Sequence, residues 1–237
     1  MNPQPRARTR RAVLALGGLA AAGAITLAGC DPRTLSYFFG DGAPQIPGQA
    51  PSLEGKKVVI LTTAAPTAMA DFQSIDRDLN RELTSIFRTG HKKIEIVDSK
   101  KVYDWVEAHP TWSDAGEIAK AFDVDFVVYF EIQGFSIRDP KSPQMLEGNA
   151  EVNFRVTEYA HPKKDNGKPN TAAPKEANQV YEEAVKTTFP KTNPVLIETG
   201  VSPLSFKAKF LKLVANEISW NFLGRNPGDD IAPDQRF

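Results

Sequence analysis

The sequence predicts an α/β (α+β) domain with a single mixed β-sheet of about five strands, packed with two long and two short helices. Three features of the chain carry this prediction. Strand-like and helix-like segments alternate over residues 57–122, three strand-like segments follow one another over 125–189, and a long helical segment occupies 203–223. One sheet with helices packed on it accommodates this order in about 170 residues, the size of one domain with one core.

The first half of the domain predicts strand, helix, strand. Residues 57–62 form a short apolar run between turn signals, which predicts a buried strand, and 63–69 predict a loop. Asp71 is placed to cap an amphipathic helix that ends near Gly90. Its apolar positions recur at steps of three and four: Phe72, Ile75, Leu79, Leu83 and Ile86. Residues 93–97 alternate and predict the second strand.

Two short helices follow in the sequence. Ser99 is expected to cap the first of them, which Pro110 stops. Asp114 and Glu117 have the spacing of a capping box before a second helix that carries Ile118 and Phe122.

The next three segments predict strands. Residues 125–132 are the most β-prone run of the chain, and the strand is expected to continue to Ile137. Residues 150–157 alternate between apolar and polar positions, as a strand with one wet face does. Residues 180–189 predict a further strand, hairpinned to the previous one. The stretches 160–178 and 193–201 read as loops.

The last helix begins at Ser202-Pro203 and ends before Gly224. One apolar stripe on it contains Leu204, Ala208, Leu211, Ala215, Ile218 and Phe222. A second stripe, about 160–200° away by helical geometry, contains Phe206, Phe210, Leu213 and Trp220. One sheet cannot bury two opposite stripes. Either a loop or the tether covers the second stripe, or it is a contact surface for a partner or for self-association.

The first 30 residues predict export and lipid anchoring. A basic block is followed by an apolar run over 12–28, the layout of a secretory signal; at about 17 residues the run is short for a membrane span. It ends in Leu27-Ala28-Gly29-Cys30, which closely resembles the lipobox read by lipoprotein signal peptidase. The resemblance implies cleavage after residue 29, a diacylglycerol on the Cys30 thiol and an acyl chain such as palmitate on its new amino group. The alternative is a plain signal anchor with an incidental cysteine.

The export route and the membrane stay open. Arg10-Arg11 resembles a twin-arginine motif, which implies export in the folded state, while the Sec route fits the same basic region. Both routes put the folded part in the periplasm. Asp31, directly after Cys30, resembles the inner-membrane retention signal of enterobacterial lipoproteins, a rule that varies between bacterial groups.

Two segments flank the predicted domain at 56–224. Residues 30–55 are rich in Pro and Gly and predict a lipid-anchored flexible tether, interrupted by Tyr37-Phe38-Phe39. These three aromatic residues either pack on the domain or the lipid interface, or form a partner-docking motif. Residues 225–237 predict a disordered tail.

Composition and motifs argue against catalysis and nucleic-acid binding. The chain has 29 basic and 29 acidic residues, and loss of four signal arginines leaves a mildly acidic mature chain. No stripe of Lys and Arg indicates a nucleic-acid footprint. His91, His109 and His161 lack a second ligand at metal-binding spacing. The sole cysteine carries lipid, and no nucleotide or hydrolase motif occurs. The sequence therefore predicts no enzyme, no metal and no cofactor besides the acyl chains.

The lipobox and the element order together resemble a group of bacterial envelope domains that includes the amino-terminal domain of TolB, LpoB and CsgG. Residues 57–61, the helix from Asp71, the 94–98 strand with its short helix, and the 117–128 helix-to-strand step carry the likeness. The resemblance implies an anticodon-binding-like fold and a role in binding proteins or regulating envelope machines, with no catalytic site. The chain departs from these proteins in having no propeller, a short tether and no extra amphipathic strand pairs.

The sequence thus predicts a protein-binding adaptor or assembly factor of the cell envelope, anchored to a membrane by its lipid. Its partner is another envelope protein or a second copy. A small-molecule or glycan-binding lipoprotein is the alternative, and it predicts a pocket lined by Trp105 or Trp112. A secretion-channel component is a further alternative.

Overall fold

The structure, a computed structural model, describes residues 45–139, 141–164, 166–191, 193–197 and 200–227. It confirms an α/β domain built on one mixed sheet. The strands are β1 Lys57–Ala64, β2 Glu95–Ile96, β3 Phe126–Asp139, β4 Ser142–Ala160, β5 Glu176–Phe189 and β6 Val195–Leu196. The helices are α1 Pro66–Met69, α2 Ile75–Gly90, α3 Ser99–Ala108, α4 Ala115–Phe122 and α5 Pro203–Leu223.

The strand order across the sheet is β2-β1-β3-β4-β5. β1 is parallel to both β2 and β3, whereas β3, β4 and β5 form consecutive antiparallel pairs. β6 pairs with β4 at Met145 and Leu146, beyond the end of β5. The sheet therefore has a parallel part at the β1 side and a long antiparallel part at the β5 side.

Helices α2 and α5 cover one face of the sheet, which we call the closed face. Alternate residues of the strands point into it, among them Ile60, Val128 and Phe154. Phe222 at the end of α5 packs between Phe87 of α2, with ring centroids 4.9 Å apart, and Phe154, at 5.5 Å. This layer explains why α5 is apolar over much of its circumference, since the sheet and α2 both contact it.

Helices α3 and α4 cover part of the opposite face. Val59, Leu61 and Val127 point from β1 and β3 into a smaller cluster with Val102 of α3 and Ile118 of α4. Most of β4 and β5 extends beyond these helices on this side. We call the part of this face that α3 and α4 leave uncovered the open face.

Two helix side chains complete the free edge of β1. Because β2 pairs only with Lys57 and Val58, the backbone carbonyls further along β1 lack a strand neighbour on that side. The Asn80 side-chain amide donates to the carbonyl of Ile60 at 2.9 Å, and the Tyr103 hydroxyl donates to the carbonyl of Thr62 at 3.0 Å. A buried asparagine within the apolar face of α2 thus replaces a strand's hydrogen bond.

Several helix signals are confirmed. The Asp114 carboxylate accepts from the backbone N–H groups of Gly116 and Glu117 and caps α4. The Ser202 hydroxyl accepts from the N–H of Ser205, with Pro203 in the first turn of α5. Gly224 ends α5 with a φ of 74°, a left-handed conformation that favours glycine.

Other local predictions are wrong. Helix α2 begins after Ser74 and not after Asp71; Phe72 lies before it, edge-on to Phe135 at 5.6 Å. Asp98, not Ser99, caps α3 by accepting from the N–H of Lys100. The predicted loops at 63–69 and 193–201 contain α1 and β6, and β4 begins at Ser142, well before the predicted strand.

The boundary between tether and domain also differs from the prediction. Leu53 is fully buried, the N–H of Ala50 donates to the carbonyl of Asn221 at 2.8 Å, and Ile46 pairs with Arg225. Residues 45–55 therefore belong to the folded unit and not to the tether, and Arg225 does not belong to a disordered tail. Residues 1–44 and 228–237, with the predicted signal, Cys30 and Tyr37-Phe38-Phe39, lie outside the described residues. None of the helices in the described part is long and apolar enough to cross a membrane.

Candidate functional site

The second apolar stripe of α5 does not form a contact surface at its first two positions. Phe206 and Phe210 are each 0% exposed. The Phe206 ring lies 5.7 Å from that of Phe189 on β5, and the Phe210 ring lies 5.3 Å from that of Phe135 on β3. The prediction that these two side chains bind a partner is therefore wrong, because the sheet already covers them.

The physical reason is that Gly148 of β4 has no side chain, which leaves space on the sheet for the Phe210 ring. A Cβ atom added to Gly148 of β4 would lie only 2.6 Å from the ring. On a helical wheel of about 100° per residue, Val214 lies between Phe210 of the second predicted stripe and Ile218 of the first, and all three side chains are buried. The helix thus buries one broad arc against the sheet and α2.

The other two residues of that stripe lie at the margin of the arc. Leu213 and Trp220 are half-buried. The Trp220 ring lies 5.3 Å from the Arg225 guanidinium and borders a shallow depression of about 410 Å³ beside Glu183 and Glu217. A partner role for these two residues stays a prediction. Leu204, placed in the first stripe, is 76% exposed.

The open face offers a different surface. Residues that are paired across β3, β4 and β5 point to it together, and nearly all of them are polar: Glu131, Asn149, Glu151, Asn153, Arg155, Glu182, Ala184, Lys186 and Thr188. Lys186 bonds to Glu151 at 3.0 Å, and the Thr188 hydroxyl donates to the Asn149 side chain at 3.0 Å. Side-chain hydrogen bonds thus hold a flat polar surface.

A cleft of about 510 Å³ lies where α4 meets this open face. The loop before α4 supplies Trp112 and Asp114 to its lining, and the larger side chains from the sheet are Tyr129, Arg155, Thr157 and Gln179. We call this the Trp112 cleft. The structure therefore brings together an indole, a phenol, a guanidinium, a carboxylate, a hydroxyl and an amide around one opening.

Contacts within the cleft fix its aromatic wall. The Trp112 ring meets the Tyr129 ring edge-on, with centroids 5.8 Å apart and planes at 78°. The Tyr129 hydroxyl hydrogen-bonds to the Thr63 hydroxyl at 2.7 Å, and the Arg155 guanidinium lies 5.4 Å from the Tyr129 ring. Such packing preorganises the rings, so that little side-chain entropy remains to be lost on binding.

The loop that carries Trp112 is pinned at its far end. Glu117 accepts hydrogen bonds from the Ser113 backbone N–H at 3.0 Å and from the Ser113 hydroxyl at 3.1 Å. These two bonds hold the pKa of Glu117 below its usual range. Asp114 is occupied in capping α4. Local side-chain hydrogen bonds thus determine the conformation of the loop, and this conformation places the Trp112 ring against the sheet.

Polar groups on the sheet side give the cleft its chemistry. Arg155 is exposed and lies opposite Glu182 in the register of β4 and β5. The Gln179 amide donates to Glu182 at 3.0 Å. An aromatic wall facing a planar cation and an amide suits a ligand with a carboxylate or amide group next to a ring or an aliphatic stem.

Trp105, the other tryptophan named for a pocket, does not line the cleft. It stacks on His109 with centroids 4.3 Å apart, and the His109 ring bonds to the Trp105 carbonyl. His161 bonds to the Ala173 carbonyl, and His91 is buried against Phe87. Among the described residues, no group of three or more His, Cys, Asp or Glu could hold a metal ion.

A larger groove of about 890 Å³ runs between α2 and α3, above the free edge of β1. Its charges pair with one another: Arg77 with Glu107 at 3.3 Å and Lys100 with Asp104 at 2.7 Å. Burial raises the pKa of Tyr103, whose ring lies 5.3 Å from the Arg77 guanidinium. Because the charged side chains of this groove largely pair with one another, the groove is a weaker candidate for a binding site than the Trp112 cleft.

Sequence reasoning named Trp112 but missed the residues that join it. In the sequence, Tyr129 lies within a β-prone run and Arg155 lies on the polar side of an alternating strand. The available signal was a tyrosine within an otherwise apolar strand and an arginine among small polar neighbours. Neither predicts convergence, because register and the position of α4 depend on tertiary packing.

Neither a protein-family model nor a curated protein sequence matches this chain. Its fold is similar to that of several solved structures. A PelC dodecamer from Paraburkholderia phytofirmans matches at 13% identity over 77% of this chain and 97% of that one, with a TM-score of 0.41. Lipoprotein GNA1162 from Neisseria meningitidis matches at 10% identity over 71% and 99%, with a TM-score of 0.39. A minor lipoprotein from Acinetobacter baumannii matches at 10% identity over 74% and 99%, with a TM-score of 0.29.

Two of these three structures are lipoproteins by name. All three TM-scores lie below 0.5 and all identities below 25%. The likeness therefore identifies neither a family nor an activity for this chain.

Proposed function

We propose that this chain is an exported lipoprotein, anchored to a bacterial membrane through Cys30, whose folded domain is a protein-binding adaptor of the cell envelope. The lipobox is the sequence basis of the proposal. The described unit begins at Gln45, only 15 positions after Cys30. Even fully extended, that stretch spans about 50 Å. An anchored domain would therefore meet its partner close to the membrane surface.

The observation that carries the binding role is the convergence of Trp112, Tyr129 and Arg155 in a cleft on the open face. Tryptophan, tyrosine and arginine are the residues that most often dominate the energy of protein interfaces, where they sit in central pockets. Here the rings are already held by each other and by Thr63. We expect a partner to insert a side chain with a carboxylate or amide end.

Photo-crosslinking in intact cells tests this role. A photoreactive residue at position 179, on the rim of the cleft, is expected to give a discrete adduct with one envelope protein. The same residue at position 212, exposed on α5, is expected to give none. The adduct is expected to disappear with Trp112→Ala and to remain with Trp220→Ala. Equal adducts from positions 179 and 212, or loss only with Trp220→Ala, would contradict the cleft as the contact site.

The proposed role is binding without catalysis. Under this proposal the carboxylates near the cleft orient the loop and the ligand: Asp114 caps α4, and Glu182 holds the Gln179 amide. Turnover of an envelope polymer or peptide that Trp112→Ala abolishes would contradict it. The likeness to the TolB, LpoB and CsgG group and the secretion-channel alternative stay predictions.

A second candidate function is the binding of a glycan or another small polar molecule. The volume of the cleft, about 510 Å³, lies within the range of small-molecule sites, which is about 300–1,000 Å³. Titration of the mature chain with soluble cell-wall glycan fragments, followed by tryptophan fluorescence, tests it. Saturable quenching that Trp112→Ala removes and Trp220→Ala keeps would favour this candidate. Absence of saturation would leave the adaptor role as the better proposal.

The export route has its own test. If the chain uses the twin-arginine route, replacing Arg10 and Arg11 together by lysine is expected to leave unprocessed precursor in the cytoplasm. If it uses the Sec route, the same variant is expected to be processed normally. Neither result affects the role of Cys30.

A further inference from the structure

One end of the sheet gathers the starts of β1, β2, β3 and β5 and the end of β4. The N–H of Gly55 donates to the carbonyl of Lys92 at 3.1 Å, and that of Tyr159 to the carbonyl of Asp125 at 2.8 Å. Helices α2 and α5 end there too, because Gly90 lies against the Leu223 side chain. Ile46, next to the first described residue, pairs with Arg225 just after α5.

Six lysines mark this end, five of them exposed and the first half-buried. We call it the basic end and define it by these residues: Lys56, Lys92, Lys93, Lys163, Lys164 and Lys168. The lysines lie just before β2 and β1 and just after β4. Between β2 and β4 there are three strand spacings, about 15 Å. The lysines therefore form a row along the strand ends and not a single point.

The charge at this end differs in sign from that of the rest of the domain. There are 11 basic and seven acidic residues in the segments that meet here, which are 45–57, 88–95, 120–126, 158–176 and 223–227. The net charge of these segments is thus +4. Residues 45–237 together contain 24 basic and 27 acidic residues, a net charge of −3, so the remaining residues have a net charge of −7.

The loop between β4 and β5 presents three of the lysines in an ordered form. The N–H of Lys164 donates to the carbonyl of Lys168, and the N–H of Gly167 donates back to the carbonyl of Lys164, both at 2.8 Å. Gly167 has a φ of 76°, which permits this tight turn. At the base, the His161 ring bonds to the Ala173 carbonyl at 2.7 Å.

We infer that the basic end docks on a bilayer surface rich in anionic phospholipid headgroups. This inference rests on the proposed anchoring through Cys30. The described part of the chain begins at Gln45, 15 positions after Cys30, so the lipid anchor keeps the domain and its lysines at high effective concentration beside the headgroups. An acidic protein would have no such advantage over the membrane.

Docking of the basic end sets the height of the Trp112 cleft above the membrane. Helix α4 begins beside the cleft at Asp114 and ends at the basic end, where the Lys57 ammonium donates to the Phe122 carbonyl at 2.8 Å. A helix of eight residues is about 12 Å long. The cleft would then lie within about 15 Å of the headgroups, facing along the membrane.

Vesicle binding by the unacylated chain tests the inference. The probe is the mature chain, residues 30–237, with Cys30→Ser, co-sedimented with vesicles of phosphatidylcholine alone or of equal parts phosphatidylcholine and phosphatidylglycerol. We expect binding only to the second kind at low salt, weakened by added salt. Each lysine near an anionic surface contributes about a five-fold factor, so Lys163→Gln with Lys164→Gln is expected to lower the partition coefficient about 25-fold.

A matched double variant controls for net charge. Lys141→Gln with Lys212→Gln removes two exposed lysines away from the basic end and is expected to bind like the parent. Equal losses in both double variants, or equal binding to both kinds of vesicle, would overturn the inference. A competition experiment gives a further test, in which soluble polyglutamate or added anionic vesicles displace the bound chain at equal concentrations of negative charge. If polyglutamate were as effective as the vesicles, the inference would be overturned, because the basic end would then bind any polyanion.

Failure of this inference and failure of the anchor are distinguishable. Acylation of Cys30 is read from the mass of the mature protein made in cells and does not depend on the lysines. Vesicle binding by the Cys30→Ser chain does not depend on acylation. An acylated protein whose Cys30→Ser form ignores anionic vesicles overturns only the docking of the basic end.

Discussion

The two faces of the sheet differ in how they are covered, and this difference separates stability from binding. The closed face lies under α2 and α5 and contains a continuous layer of phenylalanine rings, including Phe87, Phe154 and Phe210. The opposite face is only partly covered by α3 and α4, and its remainder is polar. The long helix α5, with its buried phenylalanine side chains, thus belongs to the core, whereas the cleft lies where a polar strand face stays uncovered.

The largest expected effect is on the closed face. Phe210→Ala removes a fully buried ring that fills the space over Gly148 and is expected to lower the free energy of unfolding by about 3–5 kcal/mol. Chemical denaturation of the Cys30→Ser chain measures it. Leu204→Ala, on the same helix but exposed, is expected to change it by less than about 0.5 kcal/mol. Similar losses in both variants would mean that α5 is not packed as described.

An ion pair that joins α2 to α5 is expected to have the next largest effect. Asp78 and Lys207 bond at 2.7 Å, with side chains only 18% and 15% exposed. Burial raises the pKa of Asp78, but hydrogen bonds and charge from Lys207 and Arg81 outweigh it and hold the pKa below its usual range. Asp78→Asn leaves the Lys207 charge without its partner. The expected loss is about 1–2 kcal/mol.

The exposed pair Lys100–Asp104, also at 2.7 Å, provides the control for Asp78→Asn. Asp104→Asn is expected to cost less than about 0.5 kcal/mol. Because the pKa of Asp78 is lowered in the folded state, its contribution is present above the ordinary aspartate value near 4 and disappears as the pH falls through the lowered value. If the two variants were equally stable at neutral pH, the pair would not clamp α5 onto α2.

A smaller, pH-dependent effect comes from His91 at the end of α2. Burial lowers the pKa of His91, against the opposing influence of Glu54. As the pH falls below the ordinary histidine value near 6.5, the unfolded chain binds the proton first, so the stability of the folded state decreases. The free energy of unfolding changes with pH by at most about 1.4 kcal/mol per pH unit, the value for the uptake of one proton. His91→Gln is expected to flatten the slope of stability against pH between pH 7.5 and 5.5. An unchanged slope in this variant would contradict the role of His91.

The smallest effect on stability is expected on the open face. Trp112 is half-buried at the margin of the smaller cluster under α3 and α4, and its ring is nearly perpendicular to that of Tyr129. Trp112→Ala is therefore expected to cost about 1 kcal/mol or less. Its expected consequence is the loss of the adduct from position 179. A loss of stability as large as that of Phe210→Ala would show that Trp112 belongs to the core and would erase the contrast between the two faces.

The elements that the sequence predicts well are those whose pattern is local. The start of α5 at Ser202-Pro203 and the cap at Asp114 follow from side-chain chemistry within a few residues. The first half of β4 escaped prediction because its buried positions include Gly148, which lies before the predicted strand at 150–157. The small residue there leaves space for the Phe210 ring. The sequence of the strand alone does not indicate this, because the contact depends on how the helix packs on the sheet.

The candidate site could be predicted only in part, for a similar reason. Trp112 stands out as a large aromatic residue in a loop, and it was named for a pocket. Asn80 and Arg155 were not singled out, because a polar residue acquires its role from what lies opposite it. Asn80 is buried because β2 is too short to supply a hydrogen-bond donor to the carbonyl of Ile60 on β1. Arg155 lies beside Tyr129, the neighbour of Trp112, only because of the register between β3 and β4.

The proposed lipid anchor, which would hold the domain in the envelope, is tested by the intact mass of the mature protein purified from membranes. We expect a chain that begins at Cys30 and carries a diacylglycerol on the thiol, with or without an additional acyl chain on the amino group. A chain that retains residues 1–29, or one that begins elsewhere with an unmodified cysteine, would contradict it.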